Sequence, residues 1–455
     1  MSSDPPFGFT PGDGDEGGSG FDPSKMDMSQ LGEMLQQLGQ MISAGTGPGQ
    51  DGPVNWTLAH DSARAALAAA GDPSVGESER RSVAAAVSLA QVWLDDVTGF
   101  PPTAGAAAWS RSEWLEATLP AWRRIIEPVA GHVQEATSSL LPGAGPSDGG
   151  EDALALPEGL PPELAALAGP MMGQFAGLAK SMGAAMFGGQ VGQGLATLAA
   201  EVVGAGDVGI PLTESGTPAL LPRNVLAFGE GLGLPGDQVQ LYLALREAAA
   251  QRLFTHVPWL RPRLLEAVEA YARGIHVDRE RIEEAARSLD PTDPEALQGL
   301  LSSGVFVPDD TEAQRAALAR LETLLALVEG WVDDVVTEAS VTRLPGAEAL
   351  RETVRRRRAS GGPAEKLFAT LVGLELRPRR LREAAQLWSA IRQERGPEGR
   401  DAMWGHPDLL PSADDLDDVP GFIARSTPLD LSGLEDVPPG PEHPGTPEPG
   451  SGPAQ

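Results

Sequence analysis

Apolar residues along this chain recur mostly at steps of three and four, which predicts helices. The clearest helix begins after Thr311, which with Gln314 forms the residue pair typical of a helix N-terminus. Its apolar stripe consists of Leu318, Leu321, Leu325, Val328, Val332 and Val335. A second helix is predicted from an N-cap at Asp237 to about His256, because Pro258 ends it. Alternating runs of Val, Ile or Tyr are scarce, so the pattern predicts an all-α fold.

These helical patterns group into two helical bodies between disordered tails. Residues 51–141 form an alanine-rich helical region and residues 164–410 a larger helical domain, with a Pro/Gly-rich acidic linker at 142–163. Residues 1–50 and 411–455 are predicted to be tails. The first region is predicted to bury Trp56, Trp93, Trp109, Trp114 and Trp122, with Leu89, Val92 and Val97 at helical spacing around Trp93.

The N-terminal tail contains one amphipathic segment, "DMSQLGEMLQQLGQMI". Its apolar face consists of Met28, Leu31, Met34, Leu35, Leu38, Met41 and Ile42. Unbranched Met and Leu side chains suit an adaptable contact. Docking on its own protein and binding to a partner would both produce this stripe, and we favour docking on its own protein.

A long stretch poor in charge, residues 169–200, has two interpretations. Small residues four apart, such as Gly188 and Gly192, are typical of membrane helices that pack closely. Against a membrane span, Lys180 and several glutamines interrupt the stretch, and it has few Leu, Ile, Val or Phe to drive insertion. We therefore predict a closely packed helix pair outside the membrane.

Composition narrows the class of protein. The 455 residues carry a formal net charge of −30, which opposes the phosphate contacts that nucleic-acid proteins need. The chain has no cysteine, which excludes disulfides and thiolate zinc sites and fits a reducing compartment. The N-terminus lacks the basic and apolar regions of a signal peptide. We expect a cytoplasmic protein without a nucleic-acid partner.

The helix at "QLYLALREAAAQRLFTH" carries the candidate chemistry. Glu247 follows Arg246 and precedes Ala250 by three residues, whereas an H-E-x-x-H zinc peptidase helix has histidines at both flanking positions. Arginine and alanine offer no lone pair to a metal. His256 cannot replace them, because nine residues place it on the opposite face. From the residues alone, Glu247 is a helix glutamate paired with an arginine, namely Arg246, Arg252 or one of "RRRR" at 355–358.

Several blocks, in order, resemble the bacterial zincin-like metallopeptidase family. They are "LPRNVLAFGEGLGLPGDQVQLYLALREAAAQRLFTHVPWL", "LLALVEGWVDDVV", "GGPAEKLFATLVGLELRPRRLREAAQLW" and "MWGHPDLLPSADDLDD". The resemblance implies a zincin-like helical core and a zinc-dependent hydrolase, with one branch linked to deazaflavin coenzyme biosynthesis. It gives Glu247 the general-base position and Glu329, in an E-G motif with Gly330, a zinc-ligand position. Arg246 and Ala250 stand where the family has histidines.

The resemblance and the missing histidines together leave two functions open. The first is a zinc-dependent metallopeptidase-family hydrolase whose degenerate motif is inactive. The second is a non-catalytic helical scaffold that binds a peptide or protein partner.

Three other sets of residues are candidate sites. Glu329, Asp333 and Asp334 could bind a hard cation, but a solvated helix face is favoured. The basic run at 351–366 could bind phosphate, but neutralisation of the protein's own carboxylates is favoured. The histidines lack metal-like spacing at His60, His132, His276, His406 and His443.

Overall fold

The computed structural model describes residues 52–138, 162–214, 216–274, 311–361, 365, 367 and 380–426. The Met-rich segment at 28–42, nearly all of the predicted linker and the end of the C-terminal tail lie outside the described residues. The described chain continues past residue 410, where the sequence predicted that the tail begins, and ends with a helix at Val419–Ser426.

The predicted all-α class is confirmed. The helices of the described chain are α1 Trp56–Ala69, α2 Glu77–Asp95, α3 Arg111–Ser138, α4 Pro162–Glu201, α5 Pro222–Gly229, α6 Gly236–His256, α7 Leu260–Arg273, α8 Glu312–Ser340, α9 Ala347–Ala359, α10 Leu381–Ala402 and α11 Val419–Ser426. Short 3₁₀ turns lie at Met403–Gly405, Pro407–Leu409 and Asp414–Leu416.

Two very short strands interrupt the helices. β1, Ala107–Ala108, pairs in parallel with β2, Ala219–Leu220. Two residues are too few to produce a periodic pattern, so sequence reasoning missed both strands. The Ala205 N–H donates to the Ala219 carbonyl, so this pairing also holds the loop after α4 beside α6.

Helices α6 and α8 form the centre of the molecule. Every residue of α6 from Tyr242 to Phe254 is buried, and so is every residue of α8 from Leu324 to Val336. Helix α6 packs against α2, α5, α8 and α9, while α8 also packs against α7 and α10. A helix buried on all sides has no solvent-facing side for its charged residues. Those charges must therefore find partners inside the protein.

One of the two predicted helix N-termini is confirmed. Thr311 caps α8 as predicted, with its hydroxyl accepting from the Gln314 N–H at 3.1 Å and the Gln314 side chain accepting in return. The predicted N-cap of α6 is wrong, because the helix begins one residue before Asp237, with Pro235 as its N-cap. Asp237 lies in the first turn, where its carboxylate still faces the helix dipole favourably.

The tryptophan-bearing region contributes to the core, but α2 presents a different face from the one that its apolar spacing indicated. Trp114 and Trp122 are fully buried, and the other three tryptophans pack partly buried against the same core. The buried residues of α2 are Val83, Val87, Ala90 and Leu94, whereas Leu89 and Val92 are exposed. The choice of face was ambiguous in the sequence, because Val83, Val87, Ala90 and Leu94 also recur at helical spacing.

The glycine-rich stretch is one continuous helix, α4, and the predicted helix pair is wrong. Its glycines allow close contact with α1. A Cβ on Gly188 would lie 2.5 Å from the Asn55 carbonyl oxygen, and one on Gly192 would overlap the Ala59 carbonyl and the Ser62 hydroxyl. No helix in the described part of the chain combines the length and apolar character that a bilayer crossing requires.

We predict that Gly192→Ala lowers the free energy of unfolding by about 1–3 kcal/mol, because α1 and α4 must separate to admit the methyl group. Gly189→Ala is the matched control, since nothing lies within 4 Å of its added Cβ. Helix propensity should stabilise that control by about 0.5–1 kcal/mol. Urea unfolding measures both, and equal effects at the two positions would show that α1 does not pack this closely.

Candidate active site and its buried ion pairs

The residues that the sequence singled out converge on one small cavity. Arg246, Glu247 and Ala250 of α6 line it together with Glu329 of α8. Its volume is about 20 Å³, which is room for about one water molecule. The two carboxylates therefore share a site, although they are distant in the sequence.

Glu247 is held by hydrogen bonds without a cation. One carboxylate oxygen accepts from the Gly206 N–H at 2.8 Å, and the other accepts from the Gln251 amide at 3.0 Å and the Ala219 N–H at 3.3 Å. Within the described chain it forms no ion pair, so the expected pairing with an arginine is wrong. Arg252 is paired with Asp95 instead.

Burial without a countercharge changes the acidity of this group. Burial raises the pKa of Glu247 to about 7, even though the donors at Gly206, Gln251 and Ala219 favour the charged form. The carboxyl group therefore changes its protonation near neutral pH. A buried group poised there is able to accept or donate a proton.

Glu329 has the opposite surroundings, because arginines bind both of its oxygens. Arg246 Nη2 donates to Oε2 at 2.7 Å, and Arg358 Nη2 donates to Oε1 at 2.8 Å. Glu329 is only 4% exposed and Arg246 only 8%. Although burial opposes it, the Glu329 carboxylate holds the pKa of Arg246 above its ordinary value. The guanidinium of Arg246 therefore remains a cation at the site.

A third carboxylate, Asp207, extends this network. It accepts hydrogen bonds from Arg357 at 3.1 Å, from Arg358 at 3.3 Å and from the Val203 N–H at 3.0 Å. Although burial opposes it, Arg357 and Arg358 hold the pKa of Asp207 below its ordinary value. Sequence reasoning missed Asp207, which lies in a loop without a periodic pattern.

The loop "GAGDVG", residues 204–209, closes the cavity because its glycines lie against both glutamates. A Cβ on Gly204 would lie 2.5 Å from Glu247 Oε2. Gly209 adopts a φ of +77°, and its Cβ would lie 3.2 Å from Glu329 Oε1. The spacing of three glycines around an aspartate is the signal from which this loop could have been found.

The two aspartates after Glu329 belong to separate ion pairs. Asp333 accepts from Arg351 and Arg355, each at 2.7 Å, and Asp334 accepts from Arg400 at 2.9 Å and Arg392 at 3.1 Å. Both aspartates are buried. The predicted cation site and the predicted solvated helix face are therefore both wrong, because both aspartates are buried and a different pair of arginines binds each of them.

The arginine run of α9 serves the protein's own acids, as the sequence analysis favoured. Arg355 binds Asp333, Arg356 binds Glu352, and Arg357 and Arg358 bind Asp207. His256 does not line the cavity: its ring stacks on Phe100, with its Nδ1 2.9 Å from the Arg252 carbonyl oxygen. It therefore cannot supply a missing ligand.

The residues present do not fit a zinc ion. Arg246 and Ala250 offer no lone pair, and both oxygens of Glu329 already accept from guanidinium groups. Structural and catalytic zinc sites use at least three protein ligands. No group of three or more His, Cys, Asp or Glu side chains in the described residues could hold a metal. The guanidinium groups of Arg246 and Arg358 supply the positive charge beside Glu329.

Comparison with known proteins relates the chain to one family and one solved fold. A family model described as zincin-like metallopeptidase matches residues 54–423. The chain is also similar to the crystal structure of a novel-fold protein from Chloroflexus aurantiacus, provisionally assigned as a hydrolase, with 18% identity and a TM-score of 0.55. That match covers 82% of this chain and 98% of the other. The curated proteins contain no match.

We predict that Glu247→Gln removes a pH dependence from stability. The pKa of Glu247 is raised from 4.5 to about 7, so the folded state binds the extra proton, and stability falls as pH rises between these values. The loss from this group amounts to up to about 3 kcal/mol. The advantage of the glutamine variant over wild type should therefore grow from pH 5 to pH 7.5.

Urea unfolding at several pH values checks this prediction, with the exposed Glu348→Gln on α9 as control. If the free energies of unfolding of wild type and Glu247→Gln changed with pH in parallel, Glu247 would have the same acidity in the folded and unfolded chains, and the prediction would be wrong.

A double-mutant cycle measures the Arg246–Glu329 pair. We expect Arg246→Met and Glu329→Gln to cost about 3 kcal/mol each, because each leaves a buried charge short of a partner. The double variant should cost less than the sum by about 1 kcal/mol or more. The exposed pair of Arg263 and Glu266 is the control, with a coupling below about 0.5 kcal/mol. A buried pair coupled no more strongly than the control would contradict the site geometry.

Proposed function

Because the chain belongs to the zincin-like metallopeptidase family, we propose that it keeps the family's helical core as a binding scaffold and no longer hydrolyses peptides through zinc. One observation carries this proposal, the 2.7 Å contact between Arg246 and Glu329. The resemblance assigns a histidine to the first position and a zinc ligand to the second. Here the two side chains bind each other.

The chemistry of arginine supports the loss of catalysis. A zinc ion activates a water molecule because the ion accepts a lone pair from the water oxygen, which lowers the pKa of the water. A guanidinium has five N–H donors and no vacant orbital, so it can orient a water molecule or stabilise an anion but cannot produce a metal-bound nucleophile. Glu247 keeps the general-base position without the ion that would supply its water.

The size of the cavity supports the same conclusion. Small-molecule sites commonly measure about 300–1,000 Å³. The space beside Glu247 is about 20 Å³, because the 204–209 loop lies against both glutamates. A peptide bond cannot reach Glu247 in this arrangement.

The partner of such a scaffold is a peptide or a protein. A net charge of −30 opposes nucleic acid, and the lack of cysteine suits the cytoplasm, where we place the protein. The ion pairs around Asp333 and Asp334 fix α8, α9 and α10 against one another, as a rigid scaffold requires.

A second candidate function is favoured by the acidity of Glu247. A carboxyl group with a pKa of about 7 is suited to general-base catalysis at neutral pH. This alternative is a metal-independent hydrolase in which the 204–209 loop moves away to admit substrate. It requires Glu247 but neither zinc nor histidine.

We expect wild-type protein, mixed with excess zinc and desalted, to retain far less than one zinc per chain and to cleave no peptide library. Arg246→His/Ala250→His/Arg358→Gln is the comparison, because it restores two imidazoles and frees both oxygens of Glu329 from guanidinium groups. We expect this triple variant to retain more zinc than wild type. Elemental analysis measures the metal, and circular dichroism checks that the variant is folded.

Each outcome separates the candidates. One zinc per wild-type chain with chelator-sensitive cleavage would overturn the scaffold. Cleavage that resists chelator but disappears in Glu247→Gln would favour the metal-independent hydrolase.

A further inference from the structure

Helix α2 carries apolar residues on two sides, and only one of these sides is covered. Its buried side packs mainly on α6, whereas Leu89 is 42% exposed and Val92 is 62% exposed. Adjoining apolar residues that are exposed and rimmed by polar ones are typical of a protein–protein contact. The uncovered side, named here the outer face of α2, consists at helical spacing of the exposed residues Arg81, Ala85, Ser88, Leu89, Val92, Asp95 and Asp96.

Opposite charges lie at the two ends of the outer face. Arg81 lies near the start of α2, and within the described chain its side chain donates only to a backbone carbonyl of its own helix, at 3.5 Å. Asp95 and Asp96 lie at the other end, where each pairs with one arginine and the side chains remain 51% and 62% exposed. The face therefore has a cation at one end, carboxylates at the other end and apolar residues between them.

We propose that the outer face of α2 binds the same face of a second copy of this protein, with the two helices antiparallel. A two-fold axis close to Ser88 then places Arg81 against Asp96 of the second copy, and Ala85 against Val92 of the second copy. Each contact occurs twice, because a two-fold interface joins the same surface of both chains.

The charges favour the antiparallel direction. In a parallel pair Arg81 would face its own copy and the aspartates would face one another, and like charges repel. Glu77, one turn before Arg81, would lie beyond the last turn of the second copy's α2. The net charge of −30 opposes association at long range, but physiological salt screens charges more than about 8 Å apart.

Residues on one flank of α2 extend the contact. A groove of about 540 Å³ beside the start of α2 is lined by Ser82, the 69% exposed Leu226 and Glu230, among others. Beside the end of α2, Arg343 stacks over Trp93. Ser82 and Trp93 are about three turns apart on one side of the helix. The two-fold axis therefore brings Arg343 of the second copy toward this acidic and apolar groove.

The size of the outer face predicts a reversible dimer. Residues 81–96 span about 23 Å, and a helix with its side chains is about 10–12 Å wide, so the face covers roughly 250 Å² per copy. A standard stable interface buries about 800 Å² per partner. With the flanking groove included, we expect a Kd on the order of 10 μM.

Sedimentation of the full-length protein at physiological salt, over concentrations that span this Kd, tests the dimer. Leu89→Asp/Val92→Asp should weaken it by about tenfold or more, because the contact would bury unpaired carboxylates. Met182→Asp/Met186→Asp is the matched control, since these methionines of α4 are 60% and 66% exposed. A wild type that is monomeric throughout, or a dimer that only the α4 variant weakens, would overturn the proposal.

Mixing two charge variants tests which residues meet. Arg81→Glu places carboxylates against carboxylates and Asp96→Arg places cations against cations, so each variant alone should dimerise about tenfold more weakly or less. In an equal mixture the two substituted side chains meet at one end of the contact, and Arg81 meets Asp96 at the other end. Dimerisation should therefore recover. If both variants are folded by circular dichroism and their mixture remains monomeric, the proposal is overturned.

A disulfide locates the two-fold axis, because the chain has no native cysteine. Ser88→Cys should form a disulfide between two chains on mild oxidation, since position 88 lies beside the axis. Ser78→Cys, also exposed on α2, should not, because the antiparallel arrangement separates its two copies by about 30 Å. Equal cross-linking of the two variants would contradict this arrangement.

Discussion

Charge buried in the two central helices is the constraint on which this structure depends. Helices α6 and α8 are enclosed on all sides, yet they carry Arg246, Glu247, Glu329, Asp333 and Asp334 into the core. A buried charge is tolerated only when it is paired and hydrogen-bonded. Arginines from α6, α9 and α10 satisfy every one of these carboxylates except Glu247, which backbone and amide donors hold instead. These pairs join α8 to α6, α9 and α10, and Gly330 lets α10 approach α8 closely at Ala384.

The same constraint connects the family fold to the proposed loss of zinc chemistry. A site built for a dication leaves carboxylates facing one another, and without the ion they would repel. Arg246 and Arg358 place guanidinium groups at Glu329, so the protein keeps the charge balance without a metal. Glu247 remains uncompensated and therefore has a pKa of about 7. Under the proposed function, the fold needs no metal at this position, because the two arginines neutralise Glu329.

Sequence patterns predicted the helices well and the side-chain partners poorly. Periodicity located α8 and its capping box because these signals are local. It could not show that Asp334 is buried, since its partners Arg392 and Arg400 lie on another helix far along the chain. The convergence of Glu247 and Glu329 was implied by the family resemblance, whereas the donors to Glu247 are mainly backbone N–H groups, which any residue supplies. The 204–209 loop has no periodic pattern, so the sequence did not place its glycines in the site. Only their positions against the two glutamates in the structure show this.

We propose that the guanidinium of Arg246 occupies the place of a metal beside Glu329. The decisive measurement is a crystal structure of wild-type protein grown with excess zinc, with anomalous diffraction recorded at the zinc absorption edge. We expect density for Arg246 in contact with Glu329 and no anomalous peak in the cavity. A zinc peak about 2 Å from a Glu329 oxygen, with Arg246 displaced, would contradict it.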